Sequence, residues 1–128
     1  MHILLVDAEF ESRWLVSGWL GLFVDSVRIG TSASTAEALE MIDERRPDLV
    51  LASYPLTGLG ELVRRIKSAA EPAPVVVLTD KSDKNVEAEC AAAGADFCLE
   101  NRFLQARLLP YLAERFSVKL RRISAFAR

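Results

Sequence analysis

Short continuous apolar runs alternate along the chain with stretches whose apolar residues recur every three or four positions. Ile3-Leu4-Leu5-Val6, ending at Asp7, is the pattern of a strand buried on both faces. Over residues 9–23, Leu15, Val16, Trp19, Leu20, Leu22 and Phe23 form a helical stripe. Residues 27–29 make a weaker strand. Thr31-Ser32-Ala33-Ser34-Thr35 offers N-cap residues for a helix over 36–45 with Ala38, Leu39 and Ile42 inward, and Pro47 ends it. Leu49-Val50-Leu51-Ala52 is the next buried strand. Residues 54–60 read as a loop, 61–68 as a helix and Val75-Val76-Val77-Leu78 as the clearest strand. An Ala-rich helix over 85–93 closes at Gly94. Residues 95–99 make a last strand, and a helical pattern resumes from Leu104.

Five strands alternating with helices predict an α/β, three-layer, doubly wound sandwich around a parallel sheet with right-handed crossovers. In such sheets the site lies at the carboxyl ends of the strands. The residues there are Asp7, Ala8 and Glu9; Ser53 and Tyr54; Thr79 and Asp80; Glu100, Asn101 and Arg102.

Composition narrows the chemistry. The chain has 128 residues, 51% apolar and 27% charged, with a net charge of −2. This is the balance of one ordinary globular domain, able to fold without disulfide or metal. One histidine, His2, and two cysteines, Cys90 and Cys98, argue against a Cys/His zinc site, a Ser-His-Asp triad or a disulfide scaffold. Both cysteines, outside any Cys-x-x-Cys spacing, read as reduced core or near-core thiols. Near-neutral charge argues against nucleic acid as a partner. There is no apolar run long enough to span a membrane, and the start lacks the basic n-region of a signal peptide, so cytoplasm is the expected location.

Four stretches in order, Leu4-Leu5-Val6-Asp7-Ala8-Glu9, Arg46-Pro47-Asp48-Leu49-Val50-Leu51, Val75-Val76-Val77-Leu78-Thr79 and Ala93-Gly94-Ala95-Asp96, resemble a CheY-like response-regulator receiver domain of two-component phosphorelay signalling. Arg64-Arg65-Ile66-Lys67 is similar to that family's usual third-helix ending. The resemblance implies the flavodoxin-like strand order 2-1-3-4-5. It spans residues 1–116, leaving 117–128 as a basic helical extension or tail. It also implies a pocket in which two acids after the first strand and an aspartate after the third hold Mg²⁺. The third-strand aspartate accepts a phosphoryl group from a histidine kinase, and a Thr or Ser and a Lys bind its oxygens.

Against that pattern, Asp7 matches the first acid and Thr79 the switch hydroxyl. Ala8 stands for the second acid, Ser53 for the phosphoacceptor, Asn101 for the Lys, Arg102 for the following Pro and Cys98 for the switch aromatic. The loop after Ser53 also lacks the usual Asp-Gly. Magnesium wants clustered carboxylates and six oxygens, so no cofactor is expected and Mg²⁺ binding should be weak or absent. A serine phosphate would be a stable ester, unlike a labile acyl phosphate. The expectation is a pseudo-receiver, not an enzyme, with a vestigial pocket at Asp7, Ala8, Glu9, Ser53, Thr79, Asp80 and Asn101. Asp7, Glu9 and Asp80 are weak metal candidates. Blander readings make Ser53 a filler bonded to a neighbouring backbone group and Asp80 a turn cap in solvent. Two alternatives stand: a small-molecule or metal sensor using the emptied pocket, and a phospho-receiver with an unorthodox acceptor.

Function then falls to surfaces. Helical geometry puts Leu15, Val16, Trp19, Leu22 and Phe23 on one arc and Trp14 opposite, beside Glu11, Ser17, Gly18 and Gly21; Trp14 anchors a partner or lies flat on the fold. Leu109, Leu112, Phe116, Leu120 and Ile123 continue a helical stripe past the family's usual end, and Pro110 either kinks that helix or sits in its first turn. The last residues, with Arg115, Lys119, Arg121, Arg122 and Arg128 and no acid, suit a partner or dimer helix, the root of an output domain or a solvated tail. The candidate interaction surface is Trp14, Cys98, Arg102, Leu112, Phe116 and Leu120. The expected partners are signalling proteins, with a histidine kinase, an output protein and a second copy as the options.

Overall fold

In the computed structural model, which describes residues 1–121, strands and helices alternate. They are β1 (His2–Val6), α1 (Phe10–Phe23), β2 (Arg28–Ser32), α2 (Thr35–Glu44), β3 (Leu49–Ser53), α3 (Leu59–Lys67), β4 (Val75–Thr79), α4 (Lys84–Ala93), β5 (Phe97–Glu100) and α5 (Leu109–Phe116). The sheet is parallel in the order β2-β1-β3-β4-β5. Strand alternation splits the apolar runs between two layers. Leu4, Val6, Val50, Ala52, Val75 and Val77 pack under Ala38, Leu62, Val63, Ile66, Val86 and Cys90 of α2, α3 and α4. Ile3, Leu5, Leu49, Leu51, Val76 and Leu78 pack under Val16, Leu20, Leu109 and Leu112 of α1 and α5. Each fully buried Leu or Ile contributes roughly 1.5–3 kcal/mol, which is why β1, β3 and β4 read so clearly.

The helix caps follow the chemistry of their residues. Ser34 Oγ accepts from Glu37 N at 3.2 Å and Asp83 Oδ1 from Val86 N at 2.9 Å, each worth about 1 kcal/mol. Gly94 closes α4 in the left-handed region. Helix α3 starts at Leu59, two residues before the pattern suggested. Gly58 (φ 82°) makes the turn, and a side chain there would strike Thr35 at 3.1 Å.

Helix α1 departs from the expected arc. Its inward residues are Val16 and Leu20, continued by the C-cap residue Val24, whereas Leu15 and Leu22 are exposed on the side of Trp14. Beyond β5 the chain winds through a 3₁₀ turn (Asn101–Phe103) and a π turn (Leu104–Leu108) into α5, with Pro110 in the first turn. The helical stripe then fails. Ser117 adopts φ 55°, and residues 118–121 turn back along the end of α1, where Leu120 bridges Val24. Asp25 N donates to Lys119 O at 2.8 Å and Arg121 N to Phe23 O at 2.8 Å. Ile123, Arg122 and Arg128 lie outside the described residues.

Candidate functional site

Register assembles the site. Val6 pairs with Ala52 and Ser53 with Leu78, so Asp7, the residue after β1, meets Ser53 at the carboxyl edge of the sheet. Asp7 is buried, and Ser53 Oγ donates to its Oδ2 at 3.0 Å. Glu9 N donates to Oδ1 at 2.9 Å, and Arg13 Nη1 donates to the Asp7 carbonyl at 2.7 Å. Both carboxylate oxygens therefore already hold a donor. Ser53 is bonded to a carboxylate, not to a backbone group as the bland reading had it.

The other strand ends are likewise turned to local partners. Buried Thr79 donates Oγ1–H to Lys81 O at 3.2 Å. Asn101 Nδ2 donates to Asp80 Oδ1 at 2.8 Å, while its buried Oδ1 has no partner. Asp80 is thus a clasp on Asn101, and Asp83 caps the helix that follows. Asp7, Glu9 and Asp80 do not converge: among the described residues no group of three or more Asp, Glu, His or Cys is placed to hold a metal ion. Ala8 is exposed beside them. Asp48 lies at the opposite end of the sheet, accepting from His2 N at 2.8 Å.

Sequence reasoning passed over Arg13 and gave no role to Glu100. Glu100 Oε1 accepts from Ser82 N at 3.0 Å and Oε2 from Arg102 Nε at 2.6 Å. The Ser82 amide first, then Arg102, hold its carboxyl below the usual glutamate range. Arg13 sits four residues after Glu9, a spacing that brings a helical side chain back over the strand end. The Tyr54 hydroxyl donates to Glu89, which pushes its pKa up to about 12. The Tyr54–Pro55 peptide is cis.

The proposed contact residues scatter. Trp14 is 67% exposed. Arg102 is exposed and lies 4.7 Å over the Phe103 ring. Cys98 is half-buried against Cys90, with Sγ atoms 3.7 Å apart. Burial first, then the hydrogen bond with Cys98, pushes the Cys90 thiol up to about 12. Leu112 is fully buried in the core and presents no surface, a correction that follows from α5 packing on the sheet. Phe116 is half-buried and stacks edge-on against Tyr111, and Leu120 belongs to the returning segment instead of a helix. Exposed Phe97, edge-on to Tyr111 at 5.4 Å, was passed over; with Cys98, Arg107 and Leu108 it lines a cavity of about 180 Å³.

A five-stranded parallel sheet in this order, with an acid at the end of β1 and a hydroxyl at the end of β4, is the architecture of a signalling receiver. The chain belongs to the response regulator receiver domain family, which it matches over residues 3–113. It is 31% identical over 112 residues to the transcriptional regulatory protein AfsQ1 of Streptomyces coelicolor, covering 83% of this chain and 48% of that one. The phosphate regulon transcriptional regulatory protein PhoB of Pseudomonas aeruginosa is 28% identical over 114 residues, 86% of this chain and 49% of that protein. Among solved structures, the chemotaxis protein CheY4 of Vibrio cholerae superposes with a TM-score of 0.72 at 26% identity, over 88% of this chain and 96% of that one. The chain spans between 26% and 49% of the length of the curated relatives it matches. Among the described residues no helix is long and apolar enough to cross a membrane.

Proposed function

We propose that this two-component receiver domain acts without phosphoryl transfer, as a pseudo-receiver and protein–protein contact module in a cytoplasmic signalling pathway, and not as an enzyme. The single observation that carries this reading is Ser53 at the end of β3, its hydroxyl bonded to the buried Asp7. A receiver needs a carboxylate there, both to form an acyl phosphate and to complete a magnesium site. Asp7 alone, with both oxygens engaged, does not suit an octahedral ion, so Mg²⁺ binding is weak or absent. Asn101, clasped by Asp80, offers no charge to neutralise a phosphoryl group. The cavity at β5 and two others, between the ends of α2 and α3 and beside His2, lie away from Asp7 and lend the sensor alternative no support.

The test is to add Mg²⁺ with beryllofluoride or acetyl phosphate and record amide NMR shifts. The expected result is no saturable change at Asp7, Ser53 or Thr79. Saturable, localised shifts there would overturn the reading and restore the unorthodox acceptor.

A further inference from the structure

Helix α1 is apolar nearly all round. Its inner arc is Val16 and Leu20. Its outer arc carries Phe10, Trp14, Leu15, Gly18, Gly21 and Leu22, with Glu11 as the charged residue among them. Phe10, Trp14, Leu15 and Leu22 are 69%, 67%, 61% and 49% exposed, and nothing lies within 4 Å of a Cβ built at Gly18 or Gly21. A helix hydrophobic on every side is one that is covered, and the two glycines leave a hollow into which a large side chain fits. Charge is separated along the same face. Glu11 marks its N-terminal end, while Arg121 lies at the C-terminal end, donating to the Gly21 carbonyl at 3.0 Å and pairing with Asp25 at 3.2 Å.

We propose that this face is covered by a second copy of the chain, the two α1 helices packing antiparallel about a two-fold axis. One register pairs the aromatic anchors, the glycines and the opposite charges. With Trp14 seated over Gly18 of the other copy, Phe10 meets Leu22 and Glu11 meets Gly21, where Arg121 waits. An isologous contact of this kind closes as a dimer and makes each pair twice. Antiparallel packing also aligns the helix dipoles favourably. The inference deepens the contact-module reading by naming the partner, and the two fail separately: phosphoryl-analogue shifts at Asp7 sink that reading, while the oligomeric state decides this one.

Sedimentation velocity of the full chain from micromolar to near-millimolar concentration should show a monomer–dimer equilibrium. Trp14→Ala should weaken it at least about thirtyfold, since the two-fold axis removes an aromatic anchor from each side. Gly18→Leu should raise the monomer's thermal midpoint, since glycine disfavours helix, and yet abolish the dimer by filling the hollow. Glu11→Arg should dissociate it and the added Arg121→Glu should restore it. A chain monomeric throughout overturns the proposal and leaves the face to a different protein. A dimer that both Trp14→Ala and Gly18→Leu leave intact overturns it too and moves the interface to another surface.

Discussion

At the residue scale, the proposal turns on Ser53, whose hydroxyl donates to the buried Asp7. A hydroxyl beside a buried carboxylate relieves a repulsion that a second carboxylate would create, and the Ser53–Asp7 bond repays part of the cost of burying Asp7. Ser53→Ala leaves Asp7 Oδ2 without that donor, and the expected loss is about 1–2 kcal/mol in urea denaturation, with the slope unchanged. An unchanged midpoint would mean that water replaces the hydroxyl freely. The converse experiment restores acids at two of the family positions: Ala8→Asp with Ser53→Asp should give Mg²⁺-dependent amide shifts at Asp7, where the proposal expects none from the natural chain. Asp7 and Thr79 were legible from their places after apolar runs. The clasp of Asn101 by Asp80 was not, because two residues 21 apart in sequence meet only through the β4–β5 register.

At the element scale, strands buried on both faces announce themselves and helices do so unevenly. β1, β3 and β4 could be read because continuous apolar runs have little other use in a globular chain. The inner face of α1 could not, since apolar residues on every side leave periodicity nothing to select; only packing on the sheet chooses Val16, Leu20 and Val24. The β5–α4 contact makes two predictions. Glu100 holds the Ser82 amide, and its folded pKa lies below the ordinary value near 4.5. A depressed carboxyl stabilises the fold above its unfolded pKa and loses that contribution as pH falls through the folded one. Acid titration should therefore move the Ser82 amide resonance below about pH 4.5, and Glu100→Gln should remove that transition. Facing Cys98 across the same two elements, Cys90 is 2% exposed with its thiol pushed up to about 12, so thiolate is scarce at neutral pH. Iodoacetamide should modify Cys98 first and reach Cys90 only on unfolding, as mass spectrometry of tryptic peptides will show. Rapid labelling of Cys90 in the folded chain would contradict its burial.

At the scale of the whole molecule, residues 117–121 turn back along the end of α1 instead of extending α5. Leu120 falls in phase with Leu112 and Phe116, so the sequence looks helical; the reversal depends on Ser117 at positive φ, which no glycine or asparagine advertises. The returning segment ties the C-terminal end of α5 to that of α1. Val118 packs on the apolar cluster, Leu120 bridges fully buried Val24, and two backbone hydrogen bonds tie residues 119 and 121 to Asp25 and Phe23. Ending the chain at Phe116 would leave Val24 and Phe23 facing water and lose those bonds, an expected cost of about 1–3 kcal/mol. At a concentration low enough for sedimentation to show monomer alone, the thermal midpoint should fall by roughly 4 °C per kcal/mol. Arg121→Ala separates strand from charge: its pair with Asp25 is about half exposed on both sides, so its loss should cost under about 0.5 kcal/mol. A truncated chain as stable as the whole would show that residues 118–121 merely rest on α1, and one that loses no more than Arg121→Ala would assign the closure to charge. The expected order, truncation well below Arg121→Ala and Arg121→Ala near the natural chain, places it in backbone pairing and apolar burial.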